Sequence, residues 1–135
     1  MEFLVKKLIR FQPELITEKF FKGIHPSAIN KGRCFKWAYL THRVFDKTEL
    51  WSHGSHAFIK YGRKFYDSEA PKGVYDWKDL PATNNGRGCG CRRCALPAKR
   101  MYVPIFKYNW RGMQQRFNVE WDELDLQALE FIKNG

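Results

Sequence analysis

The spacing of hydrophobic residues along this chain changes several times, and each change marks an element. Residues 3–11 mix apolar side chains with Lys and Arg over too short a run to assign. Pro13 to Lys22 has the pattern of a short helix, with Pro13 suited to a first helical position and Gly23 to its end. His25 to Gly32 reads as a loop or a short turn. A second helix is expected from Cys34 to Phe45, where Phe35, Ala38, Tyr39 and His42 recur at helical spacing. Asp46 to Ser55 reads as a connector broken at Gly54.

The period then drops to two. His56–Tyr61 and Lys64–Glu69 are aromatic-rich and β-branched runs flanking Gly62-Arg63, the signature of a hairpin with a two-residue loop. That loop fixes the register: Tyr61 faces Lys64, Phe58 faces Asp67 and His56 faces Glu69. His56, Phe58 and Asp67 then share one face, because strand side chains alternate. A three-residue loop would send Asp67 to the other face.

Beyond the hairpin, Ala70 to Pro81 reads as a loop carrying Trp77, and Asn84 to Ala98 as a long Gly/Arg/Cys-rich loop. Met101 to Tyr108 is expected to be a strand, with Pro104 favouring an edge. Asn109 to Gly112 reads as a turn and Arg116 to Val119 as another strand. Trp121 to Lys133 is an amphipathic helix with Trp121, Leu124, Ala128 and Phe131 on one stripe. Helices followed by hairpin, strands and a final helix imply an α+β fold with an antiparallel sheet. The 135 residues suit a single domain spanning 1–135.

Composition narrows the picture. A 44% apolar content excludes a disordered or low-complexity chain. No apolar run reaches the ~20 residues of a membrane helix. The first ten residues interleave charge with apolar side chains and offer no small-residue cleavage site, so no signal peptide is expected and the expected address is cytoplasmic. The net charge of +10 is unevenly spread. Residues 80–119 carry Arg87, Arg92, Arg93, Lys99, Arg100, Lys107, Arg111 and Arg116 and no acid, whereas the last helix is acidic. A field of that sign favours phosphate, nucleic acid or an acidic protein partner; a plain solubility charge is the alternative.

Candidate chemistry centres on Cys34, His56 and Asp67. A thiolate, not a thiol, is the nucleophile, and the N–H groups at a helix N-terminus stabilise it. Histidine titrates near neutrality and is the usual partner base, and a third group must orient its ring. Asp67 is one diagonal step from His56 across the hairpin, ~7–8 Å at Cα, within reach of a hydrogen bond. Glu69, directly opposite, is the rival orienting residue. His42 lies two turns along the helix from Cys34, ~12 Å of rise, too far for direct contact. His53 stays open as a competitor for the base, and His25 carries no argued role.

Gly32-Arg33-Cys34-Phe35, His56-Ala57-Phe58 and Tyr66-Asp67 together resemble the papain-like and transglutaminase-like thiol enzymes. These set the cysteine at a helix start, a His-Ala-aromatic run on a strand and the aspartate on the next strand. The resemblance covers residues 32–69. It implies a compact papain-like or transglutaminase-like domain, with the nucleophile helix packed on an antiparallel sheet. The implied chemistry is thioester-mediated acyl transfer, as in a peptidase, isopeptidase, amidase or transglutaminase, with a protein or peptide substrate and no catalytic cofactor. One departure concerns the oxyanion donor. Papain-like enzymes carry a glutamine upstream of the cysteine, but Ala28 stands six residues before Cys34, which leaves the Cys34 backbone N–H, with Asn30 or Gln12 as substitutes.

A second centre is Cys89-Gly90-Cys91-Arg92-Arg93-Cys94. Cys89, Cys91 and Cys94 have ligand-like spacing, and a structural Zn²⁺ would need a fourth ligand from His25, His53 or Cys34. A reduced loop or a Cys89–Cys94 bridge would use the same residues without metal. With Arg87, Arg92, Arg93, Lys99 and Arg100 for phosphate and Tyr102, Phe106 and Trp110 for bases, the alternative is a zinc-stabilised nucleic-acid-binding module. A docking protein on the thiol-enzyme scaffold is the third reading.

Overall fold

The computed structural model describes residues 10–53, 56–82, 98–101 and 121–134. Helix α1 spans Glu14–Phe20, with Pro13 just before it rather than at its first position, and ends before Lys22 because the chain reverses at Gly23, whose φ is +81°. Where a loop or short turn was expected, Pro26–Ile29 close one helical turn, α2. Pro26 supplies a preset φ at its first position, and His25 Nδ1 accepts the Ser27 N–H at 3.1 Å. Helix α3 spans Cys34–Val44, and α4 spans Trp121–Asn134.

Strands β1 (Thr48–His53), β2 (His56–Tyr61), β3 (Lys64–Tyr66) and β4 (Lys99–Met101) form an antiparallel sheet in the order β3-β2-β1-β4. Strand β1 corrects the expected connector at Asp46–Ser55. Its adjacent apolar residues, Leu50 and Trp51, enter cores on opposite faces of the sheet, so the one-sided alternation that identifies a strand is missing. The expected strand from Met101 to Tyr108 begins at Lys99 instead. Its continuation, the Arg116–Val119 strand and the 84–97 loop lie outside the described residues.

The fold is therefore α+β, with the helices on one face of the sheet. There Ile16, Phe35, Trp37, Tyr39, Leu40, Val44, Leu50, Ala57, Ile59, Leu124, Ala128 and Ile132 form the main core. The expected α4 stripe is present in Leu124 and Ala128, which are buried, and Phe131, which is partly buried. Two polar bonds orient helices on that core: Trp37 Nε1 donates to Thr17 Oγ1 at 2.9 Å, and Tyr39 Oη to Asp125 Oδ1 at 2.8 Å. On the other face Phe58, Phe65 and Leu80 form a second cluster with Trp51, Val74 and Trp77.

The hairpin register is the one a two-residue loop dictates: Tyr61 pairs with Lys64, Lys60 with Phe65 and Ile59 with Tyr66. Gly62 has a φ of +63°, which glycine adopts without a Cβ penalty. Gly73 is required for a different reason. Its φ is +82°, and a Cβ there would lie 2.7 Å from the Tyr66 ring.

Candidate active site

Cys34 is the first residue of α3 and is 3% exposed. Its position follows from where β3 stops. Hydrogen-bonded pairs alternate along an antiparallel ladder. With Tyr61–Lys64 and Ile59–Tyr66 as such pairs, the Ala57 N–H points toward the β3 side, where β3 has already ended at Tyr66. That N–H instead meets sulfur: Ala57 N donates to Cys34 Sγ at 3.5 Å. The nucleophile candidate thus sits in the gap left by a three-residue strand. The positive end of the helix dipole therefore lies at the sulfur-bearing residue.

His56 begins β2, and its side chain lies on the sheet face of Phe58, with ring centroids 5.6 Å apart. Its Nε2 lies 3.0 Å from Asp67 Oδ2, and the two side chains are 8% and 1% exposed. Asp67 follows directly after β3, and its second oxygen accepts the Glu69 N–H at 2.9 Å. One carboxylate therefore closes the turn after the strand and holds the imidazole.

Because a carboxylate accepts, Nε2 carries the hydrogen, which leaves Nδ1 for the thiol. Nδ1 is buried without an aligned hydrogen bond, yet Cys34 acts on the ring both as a hydrogen-bond partner and as a charge. The sulfur is thus a neighbour of the ring. Burial, the largest influence, disfavours the charged ring; the bonds and charges of Asp67 and Cys34 outweigh it, and the His56 pKa is pushed up to about 9.

The other candidates have separate places. Glu69, the rival to Asp67, accepts from Asn30 Nδ2 at 2.9 Å. Asn30, a candidate oxyanion donor, directs one amide N–H to that bond. Gln12 is exposed in a groove shared with Arg10, Phe11 and Tyr66, whose lining includes neither Cys34 nor His56. His42 Nδ1 lies 3.0 Å from Thr48 Oγ1, tying α3 to β1. His53 pairs directly opposite His56 across β1 and β2, lies 4.4 Å from the Trp77 ring at an interplanar angle of 42°, and has an Nε2 without a hydrogen bond among the described residues. His25 caps α2. Sequence reasoning missed the Ala57 N–H contact and the bonds around Asn30. Both depend on where β3 ends, which residue patterns do not encode.

Cys89, Cys91 and Cys94 lie outside the described residues, as do Arg87, Arg92, Arg93, Tyr102, Phe106 and Trp110. Among the described residues no group of three His, Cys, Asp or Glu side chains could hold a metal ion. Of the candidate phosphate contacts, Arg100 pairs with Glu49 Oε2 at 3.3 Å. No helix among the described residues is long and apolar enough to cross a membrane. Comparison with protein-family models, curated proteins and solved structures finds no match to this chain.

Proposed function

We propose that the protein is a thiol-dependent acyl-transfer enzyme, with Cys34 as nucleophile, His56 as base and then acid, and Asp67 as the group that orients the ring. The observation that carries this reading is the buried His56–Asp67 bond of 3.0 Å, on a ring whose pKa Cys34, at a helix N-terminus, also raises. The order of cysteine on a helix, histidine on a strand and aspartate after the next strand supports a papain-like or transglutaminase-like domain.

In this mechanism the proton of the Cys34 thiol rests on His56 Nδ1 before substrate arrives, so that a thiolate faces an imidazolium, in keeping with the raised His56 pKa. The sulfur attacks the carbonyl carbon, and the carbonyl π electrons move to oxygen. N–H groups at the start of α3 face the resulting oxyanion. Collapse breaks the carbon–nitrogen bond, and the departing amine receives the proton from Nδ1. Water or a second amine then attacks the thioester and releases Cys34. Asp67 keeps the imidazole in the orientation that this sequence requires. The basic stretch at residues 86–100 would favour an acidic acyl donor.

Alkylation by iodoacetamide, followed by peptide mass spectrometry across pH, tests the proposal. Cys34 is expected to react faster than an ordinary thiol at neutral pH, and His56→Ala is expected to abolish the difference. Equal reactivity in both proteins, at the rate of an ordinary thiol, would overturn it.

A further inference from the structure

The segment that follows Asp67 is bound to the segment that precedes Cys34. Asn30 closes α2, four residues before the candidate nucleophile. Its Nδ2 donates to Glu69 Oε1 at 2.9 Å. Its Oδ1 lies 3.1 Å from Ser68 Oγ, and the same hydroxyl lies 2.8 Å from the Pro26 carbonyl oxygen, so one proton is shared between two acceptors. Ser68 is 4% exposed, which makes each of these bonds costly to lose. The Glu69 N–H in turn donates to Asp67 Oδ1. On the other side, Arg33 N–H donates to Ile29 O at 2.8 Å, which fixes the turn that delivers Cys34 to its helix.

A continuous set of bonds thus runs from the nucleophile turn through one amide to the carboxylate that holds His56. Only a side chain with both a donor and an acceptor completes it. A carboxylate at position 30 would face Glu69 as a like charge, and an apolar residue would leave Ser68 with one partner fewer.

We infer that Asn30 is a positioning residue, which sets the Asp67 carboxylate relative to Cys34 by holding Ser68 and Glu69. This inference rests on the acyl-transfer reading for its consequence in catalysis, but its geometric effect on His56 is measured without turnover. Asn30 touches neither the imidazole nor the sulfur; it acts through the 67–69 segment. A misplacement of about 1 Å in such a carboxylate is enough to cost up to about a hundredfold in rate.

The test compares Asn30→Asp, which is isosteric but has no donor, with the double variant Asn30→Asp/Glu69→Gln, in which the amide and carboxylate exchange places. Two readouts are followed: the His56 ring-proton titration by NMR, and iodoacetamide alkylation of Cys34 across pH. In Asn30→Asp the His56 midpoint is expected to fall by about one pH unit or more, and alkylation at neutral pH by roughly tenfold or more. The double variant is expected to recover most of both. Thr17→Val is the control. It removes a bond of equal length, 2.9 Å, to Trp37 in the same core, and should lower the melting temperature while leaving the His56 midpoint in place.

If Asn30→Asp lowers the melting temperature and leaves the His56 midpoint and the alkylation profile unchanged, the positioning role is overturned. An unaltered double-variant deficit would also overturn it. Should Asn30→Asp not fold, Ser68→Ala removes part of the same set of bonds and must move the midpoint in the same direction. A wild-type Cys34 no more reactive than an ordinary thiol refutes the enzyme reading separately, while the NMR titration still decides whether Asn30 positions Asp67.

Discussion

Replacing Asp67 by asparagine isolates what its charge does. The carboxylate has two duties: Oδ1 accepts the Glu69 N–H and Oδ2 accepts from His56 Nε2. An asparagine keeps the first duty with its carbonyl oxygen, so the turn after β3 survives. Its NH₂ then faces Nε2, which must become an acceptor, and the ring hydrogen moves to Nδ1. That is the wrong tautomer for taking a proton from Cys34. Acyl transfer is expected to fall by roughly 10⁴-fold, the size of effect seen when an orienting aspartate is neutralised elsewhere.

The same change has a stability signature. His56 is raised from 6.5 to about 9, which at about 1.4 kcal/mol per pH unit is about 3 kcal/mol in favour of the folded imidazolium. The folded ring binds its proton more tightly than the unfolded one. The contribution is therefore complete below pH 6.5 and is lost as pH rises through about 9. In Asp67→Asn, only Cys34 is left to oppose burial, and the His56 midpoint is expected to fall well below 9. Urea denaturation of both proteins should give a stability gap of about 3 kcal/mol near pH 6 that closes above about pH 9. NMR of the ring protons reads the midpoint directly. A gap that does not vary with pH, or a variant midpoint still near 9, would refute the reasoning.

Three further substitutions probe the frame around the site. Gly73→Ala is expected to destabilise by roughly 1–3 kcal/mol in urea titration, because the new Cβ meets the Tyr66 ring at 2.7 Å in a backbone held at φ +82°. Tyr39→Phe removes the 2.8 Å bond to Asp125, an oxygen that also lies 3.2 Å from Arg43 Nε, and should lower stability by about 1–2 kcal/mol with α4 exchanging its amides faster. Lys47→Gly should raise the melting temperature slightly, since Lys47 holds a φ of +62° between α3 and β1 that glycine adopts without strain; a fall of several degrees would show that the lysine side chain contributes more than its backbone costs.

How much of this was legible from residue patterns depended on how local the deciding interaction was. The hairpin register was readable, because Gly62-Arg63 sets the loop length, but the second strand, expected to run to Glu69, stops at Tyr66, so Asp67 and Glu69 lie beyond the ladder. The helix from Cys34 was readable from Phe35, Ala38 and Tyr39, all fully buried on its core face. Strand β1 was not, because Leu50 and Trp51 serve different cores and cancel the alternation that would mark it. Missing β1 also hid the pairing of His53 with His56. The setting of Cys34 was beyond sequence reasoning altogether. It depends on β3 stopping at Tyr66, so that the Ala57 N–H has a sulfur where a ladder carbonyl would otherwise stand. The early end of β3 is in turn consistent with Asp67, which takes the Glu69 N–H into a side-chain turn and so competes with the ladder for the backbone. The residue that orients His56 is therefore also the residue that opens the space for Cys34, and lengthening β3 by removing that turn would close the site as well as disarm it.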